Sequence, residues 1–143
     1  MLIDLLAGIE SQGWVRAIRT SPTLYPALNG AHILGFALLI GAIGVFDIAV
    51  LRAGRTGAAL RAAALPVARG GFALALATGL LLFACRATHY AANTAMLVKL
   101  GLLLLALANA TAFHIVGGQR WLAGLSLGLW VAVLFAGRWI GFI

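Results

Sequence analysis

Residues Tyr25 to Arg52, YPALNGAHILGFALLIGAIGVFDIAVLR, decide how this chain is read. The run is apolar and long enough to cross a bilayer, because about 20 residues at about 1.5 Å rise each cover a hydrocarbon core of about 30 Å. Asn29, His32 and Asp47 interrupt it. At about 100° of turn per residue, Asn29 and Asp47 each fall about 60° from His32, so the three share one stripe. Polar side chains within a span are costly and face a bundle interior or a cavity. The stripe is therefore expected to look at other helices.

Composition extends this reading to the whole chain. With 143 residues, 64% of them hydrophobic and 9% charged, the apolar surface exceeds what one small soluble core can hide. Eighteen glycines, abundant Ala and Leu, and no run of alternating polar and apolar residues select helices over barrel strands as the spanning elements. One domain, residues 1–143, is expected. The net charge of +7 does not point to nucleic acid, because the basic residues flank or interrupt apolar runs and serve topology and anionic headgroups of the membrane lipid. Cys85 is the single cysteine, which excludes an internal disulfide. Asp4 and Glu10 stand where a signal peptide carries positive charge, so the first segment is expected to stay on the mature protein.

Residues 2–19 gather Leu2, Ile3, Leu5, Leu6, Ile9, Val15 and Ile18 near one face, beside Trp14, as an interfacial amphipathic helix does. Ser21-Pro22 ends it, and Tyr25-Pro26 opens the first span. Spans are expected at about 26–51, 66–90, 93–116 and 121–142, and the short Gly117-Gly118 turn makes the last two an antiparallel hairpin. The predicted fold is an all-α antiparallel four-helix membrane bundle. Arg52, Arg55, Arg61, Arg69 and Arg120 lie on one side, which the positive-inside rule makes cytoplasmic and both termini periplasmic. Gly41, Gly44, Gly124-x-x-x-Gly128 and Gly137-x-x-x-Gly141 are candidates for close helix contact.

Counting from each span's midpoint puts His32 about 10 Å toward the outer side. Arg86, Lys99 and Arg138 come out at nearly the same level on the other three spans, with His89 one turn nearer the surface. Asp47 and His114 match in depth on the opposite side. The outer layer reads as a redox cofactor site: His32 and His89 as axial ligands of haem b, with Arg86, Lys99 and Arg138 as partners for propionates or a quinone headgroup. A dimer pairing His32 with its copy, or five-coordinate iron, are alternatives. Copper finds imidazoles but no Met or Cys cluster. The bland counterpart is that His32 is a hydrogen-bonded bundle histidine, His89 an interfacial residue, and Arg86, Lys99 and Arg138 snorkel to headgroups. Asp47 with His114 reads either as a proton relay or as a pair that fixes the first and third spans. Asn109 satisfies itself against a neighbouring helix. Ser126 has no neighbouring base, so nothing resembles a hydrolase.

The segments SPTLYPALNGAHILGFALLIGAIGVFDIAVLR and ARGGFALALATGLLLF, with Asn93 to Asn109, resemble a family of small bacterial four-helix inner membrane proteins of unknown function. The resemblance implies fold and location, not activity. A looser similarity is to four-helix b-type cytochromes, onto which only His32, His89 and His114 map; two-haem members use four histidines, which leaves one haem or none. Two functions follow: a membrane electron-transfer or quinone-reactive subunit with a redox partner or larger complex, or a structural accessory subunit without cofactor. A transporter has Asp47 as its one candidate coupling carboxylate.

Overall fold

The computed structural model describes residues 1–54 and 56–142, so Arg55 lies outside the described residues. These are helical throughout, without strands, in seven helices: α1 Leu2–Glu10, α2 Gly13–Thr20, α3 Leu24–Ala53, α4 Ala58–Cys85, α5 Ala87–Ala92, α6 Thr94–Val116 and α7 Arg120–Trp139. Helices α3, α4, α6 and α7 are each long and apolar enough to cross a membrane.

Three boundaries differ from the sequence expectation, each for a local reason. The single helix over 2–19 is two helices: Ser11 Oγ donates back to the Gly8 carbonyl at 2.8 Å, and Gln12 is extended before α2 begins at Gly13. Helix α4 starts at Ala58, well before Pro66, which sits inside it. The Ala- and Leu-rich segment ahead of the proline holds the helix despite the one bond that proline cannot donate. At the other end α4 stops at Cys85, where Arg86 leaves helical geometry at φ −146°, ψ 47°, and the expected last turns of the second span form the separate α5.

The remaining ends are capped as the sequence allows. Gly54 closes α3 at φ 76° and Gly117 closes α6 at φ 88°, a left-handed conformation that glycine adopts without a Cβ penalty. Asn93 caps α6 by accepting the Met96 N–H at 3.1 Å.

Helix α3 packs along α4 and α7, and α6 packs along α7 while its side chains also reach α3, where Phe113 meets Phe46 and Lys99 meets Phe36. Gly35 of α3 meets Gly71 and Ala75 of α4, Leu39 shares a cluster with Trp130 of α7, and Phe46 and Val50 share one with Ala64 of α4 and Ala123 of α7. The tightest approach is between Gly35 and Gly71. A Cβ on Gly35 would stand 2.6 Å from the Ala75 nitrogen, and one on Gly71 2.6 Å from the Leu39 nitrogen. Most of the expected contact glycines are not these: Gly41 and Gly128 have open space around them, Gly44 and Gly124 meet only leucine side chains at ordinary distance, Gly141 meets only Arg138, and Gly137 alone is in close contact, with the Lys99 side chain of α6. Two apolar clusters fill the interior, Leu39, Ala68, Ala106 and Trp130 in one, Phe46, Val50, Ala64 and Ala123 in the other.

The N-terminal helices dock on the α4–α5 corner. Val15 is fully buried against Ala84 and Cys85. Glu10 Oε1 accepts the Thr88 N–H at 2.6 Å and its hydroxyl at 2.7 Å, satisfying a donor that the first turn of α5 leaves open. Those hydrogen bonds hold the Glu10 carboxyl below its ordinary range. Leu2, Ile3 and Leu5 of α1 stay exposed, which leaves an apolar face of the kind an interfacial helix buries in the headgroup region.

Candidate functional site

His32 and Lys99 are the two members of the expected outer layer that the structure brings together. His32 sits on the α3 face turned to α4. Its Nδ1 lies 2.8 Å from the Ala75 carbonyl and 3.1 Å from Thr78 Oγ1. A carbonyl only accepts, so Nδ1 carries the hydrogen; Thr78 in turn donates its own to the Leu74 carbonyl at 2.6 Å. In the neutral ring Nε2 is then the unprotonated nitrogen, the arrangement in which imidazole accepts a hydrogen bond or binds a metal. Gly79 makes room for the ring, because a Cβ there would stand 2.9 Å from His32 Cε1.

Lys99 is the only lysine of the chain, and it reaches inward from α6. Its Nζ lies 5.0 Å from the centroid of Phe36, one turn along α3 from His32, and interacts electrostatically with the imidazole. On its other side the stem crosses Gly137 of α7, where a Cβ would come within 3.3 Å of Nζ. Among the described residues the ion pairs join the N-terminus to Asp4 and Arg19 to Glu10, so no carboxylate answers Lys99. An ammonium held off water in this way needs an acceptor from elsewhere.

Next to this pair runs a narrow apolar cleft of about 80 Å³, walled by Phe36, Phe72, Leu76, Met96, Lys99 and Leu103. It exists because the backbones of α4 and α6 do not meet among the described residues, so the four long helices do not close on that side. A larger open groove of about 380 Å³ between α3 and α4 is lined by Ala, Leu, Val and Gly and lies away from both His32 and Lys99.

The other expected site residues lie elsewhere. His89 is exposed on α5, beyond the break at Arg86, and acts on Glu10 rather than on His32. Arg86 is exposed at that break, and Arg138 is exposed with its guanidinium 4.7 Å over Phe142. His32 on α3 and His89 on α5 thus lie on separate elements, and Arg86 and Arg138 are exposed at helix ends. Depth counting assumed one continuous helix through residue 90, whereas the helix breaks at Arg86. Asp47 and His114 are not paired either. Asp47 is 3% exposed with the Ser126 hydroxyl of α7 beside its carboxylate, whereas His114 is exposed next to Phe113. Asn29 faces outward although it shares the azimuth of Asp47, because α7, which covers that azimuth, ends at Trp139.

Sequence reasoning passed over Thr78, Gly79 and Phe36 as companions of His32, and Ser126 as partner of Asp47. A signal existed for two of them. Thr78 is the one hydroxyl in the ALALATGLLLF run and Ser126 the one in α7, and a lone hydroxyl in an apolar helix needs a stated partner. The chain matches no family model, no curated protein and no solved structure.

Proposed function

We propose that the chain is a multi-pass membrane protein whose four long helices cross the bilayer as an antiparallel bundle and whose His32–Lys99 cleft receives the oxygenated head group of a quinone. The observation that carries this is the lone lysine. Lys99, without a carboxylate partner, lines an apolar slot, and His32, which shares the Phe36 contact with it but does not itself line the slot, offers an imidazole whose acceptor nitrogen is free by tautomer. Lys99 donates to one quinone carbonyl, His32 addresses the hydroxyl of the reduced form, and Phe36 flanks the ring; the isoprenoid tail leaves between α4 and α6 into lipid. A haem clasped by His32 and His89 does not suit this donor set, since the second imidazole belongs to another corner. The Arg52 carbonyl accepts from Arg120 at 3.2 Å, which gathers the arginines of two connections at one end and supports that end as the cytoplasmic one, with both termini periplasmic in a bacterial inner membrane.

The test is quinone binding by the detergent- or nanodisc-held protein, followed by tryptophan quenching with a short-tailed ubiquinone analogue. Lys99→Met and His32→Phe are expected to weaken binding at least tenfold each with helicity unchanged. Equal binding by all three proteins would remove the proposal. A Soret band bleached by His32→Ala would return the site to haem.

A second reading rests on its own observation. The Nδ1–H of His32 is already answered by Ala75 and Thr78, so the ring also clasps α3 to α4. In an accessory subunit without cofactor this clasp is the whole role, and His32→Ala loosens the pair by about 1–3 kcal/mol while no quinone binds.

A further inference from the structure

We infer that Asp47, Asn109 and Ser126 form a proton-binding site in the interior, separate from the His32–Lys99 cleft. They come from three helices and lie in one layer between the two apolar clusters. On α6, Asn109 stands between Ala106, which packs with Leu39 and Trp130, and Phe113, whose ring lies 5.7 Å from that of Phe46. On α7, Ser126 stands between Ala123 and Trp130, members of those same clusters. Asp47 follows Phe46 on α3 and is buried there, with the Ser126 hydroxyl beside its carboxylate. Asn109 Nδ2 donates to the Leu122 carbonyl at 3.1 Å, one turn before Ser126, so both side chains converge on the same stretch of α7.

All three are more than nine-tenths buried, and three polar atoms in this region are left without a hydrogen-bond partner: the acceptors Asp47 Oδ2 and Asn109 Oδ1 and one donor, the Nε1–H of Trp130. Buried acceptors of this kind are rare, and here one carries formal charge. Two acceptors against one donor leave the layer one hydrogen short. A proton on Asp47 Oδ2 removes the buried charge and supplies that hydrogen, with Asn109 Oδ1 as the acceptor we assign to it. Among the described residues no cation competes for the role. Helix α4 faces the layer with Ala64 and Ala68 while Arg61 and Arg69 are exposed; His114 of α6 is exposed; Arg120 of α7 is exposed and bound to the Arg52 carbonyl.

Asp4 and Asp47 are the only aspartates, which makes the test direct. Asp4 is exposed and paired with the N-terminus. In an Asp4→Asn background, protein labelled with carboxyl-¹³C aspartate reports Asp47 alone by isotope-edited infrared spectroscopy in nanodiscs. The expected result is a carboxylic-acid band that persists at least two pH units above the ~3.9 of a free aspartate. It shifts in Asn109→Leu, where the acid hydroxyl loses its acceptor, and in Ser126→Ala. Titration at the free-aspartate value, or a band indifferent to both substitutions, would overturn the site. Loss of the band on exchanging choline chloride for sodium chloride at fixed pH would overturn it too, by giving the site to a metal cation.

Discussion

Replacing Gly71 by alanine should damage the fold and the candidate site through one displacement. The new Cβ would sit 2.6 Å from the Leu39 nitrogen and 2.7 Å from the Gly35 carbonyl oxygen, both backbone atoms that no rotamer change moves aside. Ordinary contact begins near 3.4 Å, so α3 and α4 must part by about 0.8 Å. Overpacking of that kind costs about 1–3 kcal/mol, roughly a 5- to 150-fold shift in the folded-to-unfolded ratio. The same separation stretches the His32–Ala75 hydrogen bond from 2.8 Å to beyond the range in which it holds. Gly35→Ala meets the same gap from the other side, so once the helices have parted the second Cβ adds little, and the double variant should lose less than the sum of the singles. Unfolding in mixed micelles at increasing SDS fraction measures the stability, and ¹⁵N shifts of labelled histidine report the imidazole. A Gly71→Ala protein as stable as the parent with an unaltered His32 signal, or strictly additive singles, would refute the reasoning.

Other outcomes follow from single contacts. Gly79→Ala should displace the His32 ring, whose Cε1 lies 2.9 Å from the new Cβ, and lower quinone affinity without unfolding the bundle, read by the same quenching titration. Glu10 is held below 4.5 by Thr88, so the docking of the N-terminal helices is complete above that pH and is lost as pH falls through the lowered value. Acrylamide quenching of a variant that keeps Trp14 as its sole tryptophan should rise over that acid window, and in Glu10→Gln should be high at all pH. Asn93→Ala removes the α6 cap and should cost about 1 kcal/mol in the SDS titration.

The four long helices were legible because length and hydropathy report them without reference to neighbours, and the caps at Gly54, Asn93 and Gly117 are written in the residues themselves. The meeting of His32 with Lys99 was legible too, since depth along a straight helix is a count. What misled was continuity. Nothing in CRATHYAAN announces a break, because Ala, Arg and Tyr all accept a helix; the corner at Arg86 is stabilised by Glu10 from 78 residues away, a contact no local pattern carries. The contact glycines were misassigned for a similar reason. Gly35 and Gly71 each stand in runs with other glycines, and only the facing helix decides which of them touches backbone. Asp47 was rightly placed inward, but the group beside it is the Ser126 hydroxyl on α7, while the imidazole at matching depth on α6 is exposed.

The central claim is that a quinone head group rests between His32 and Lys99. Photolabelling in nanodiscs with an azido-quinone, followed by peptide mapping, tests it most directly. The account predicts label concentrated on residues 32–39 and 96–103 and lost in Lys99→Met. Label spread evenly over the lipid-facing residues of all four long helices, unchanged in Lys99→Met, would contradict it.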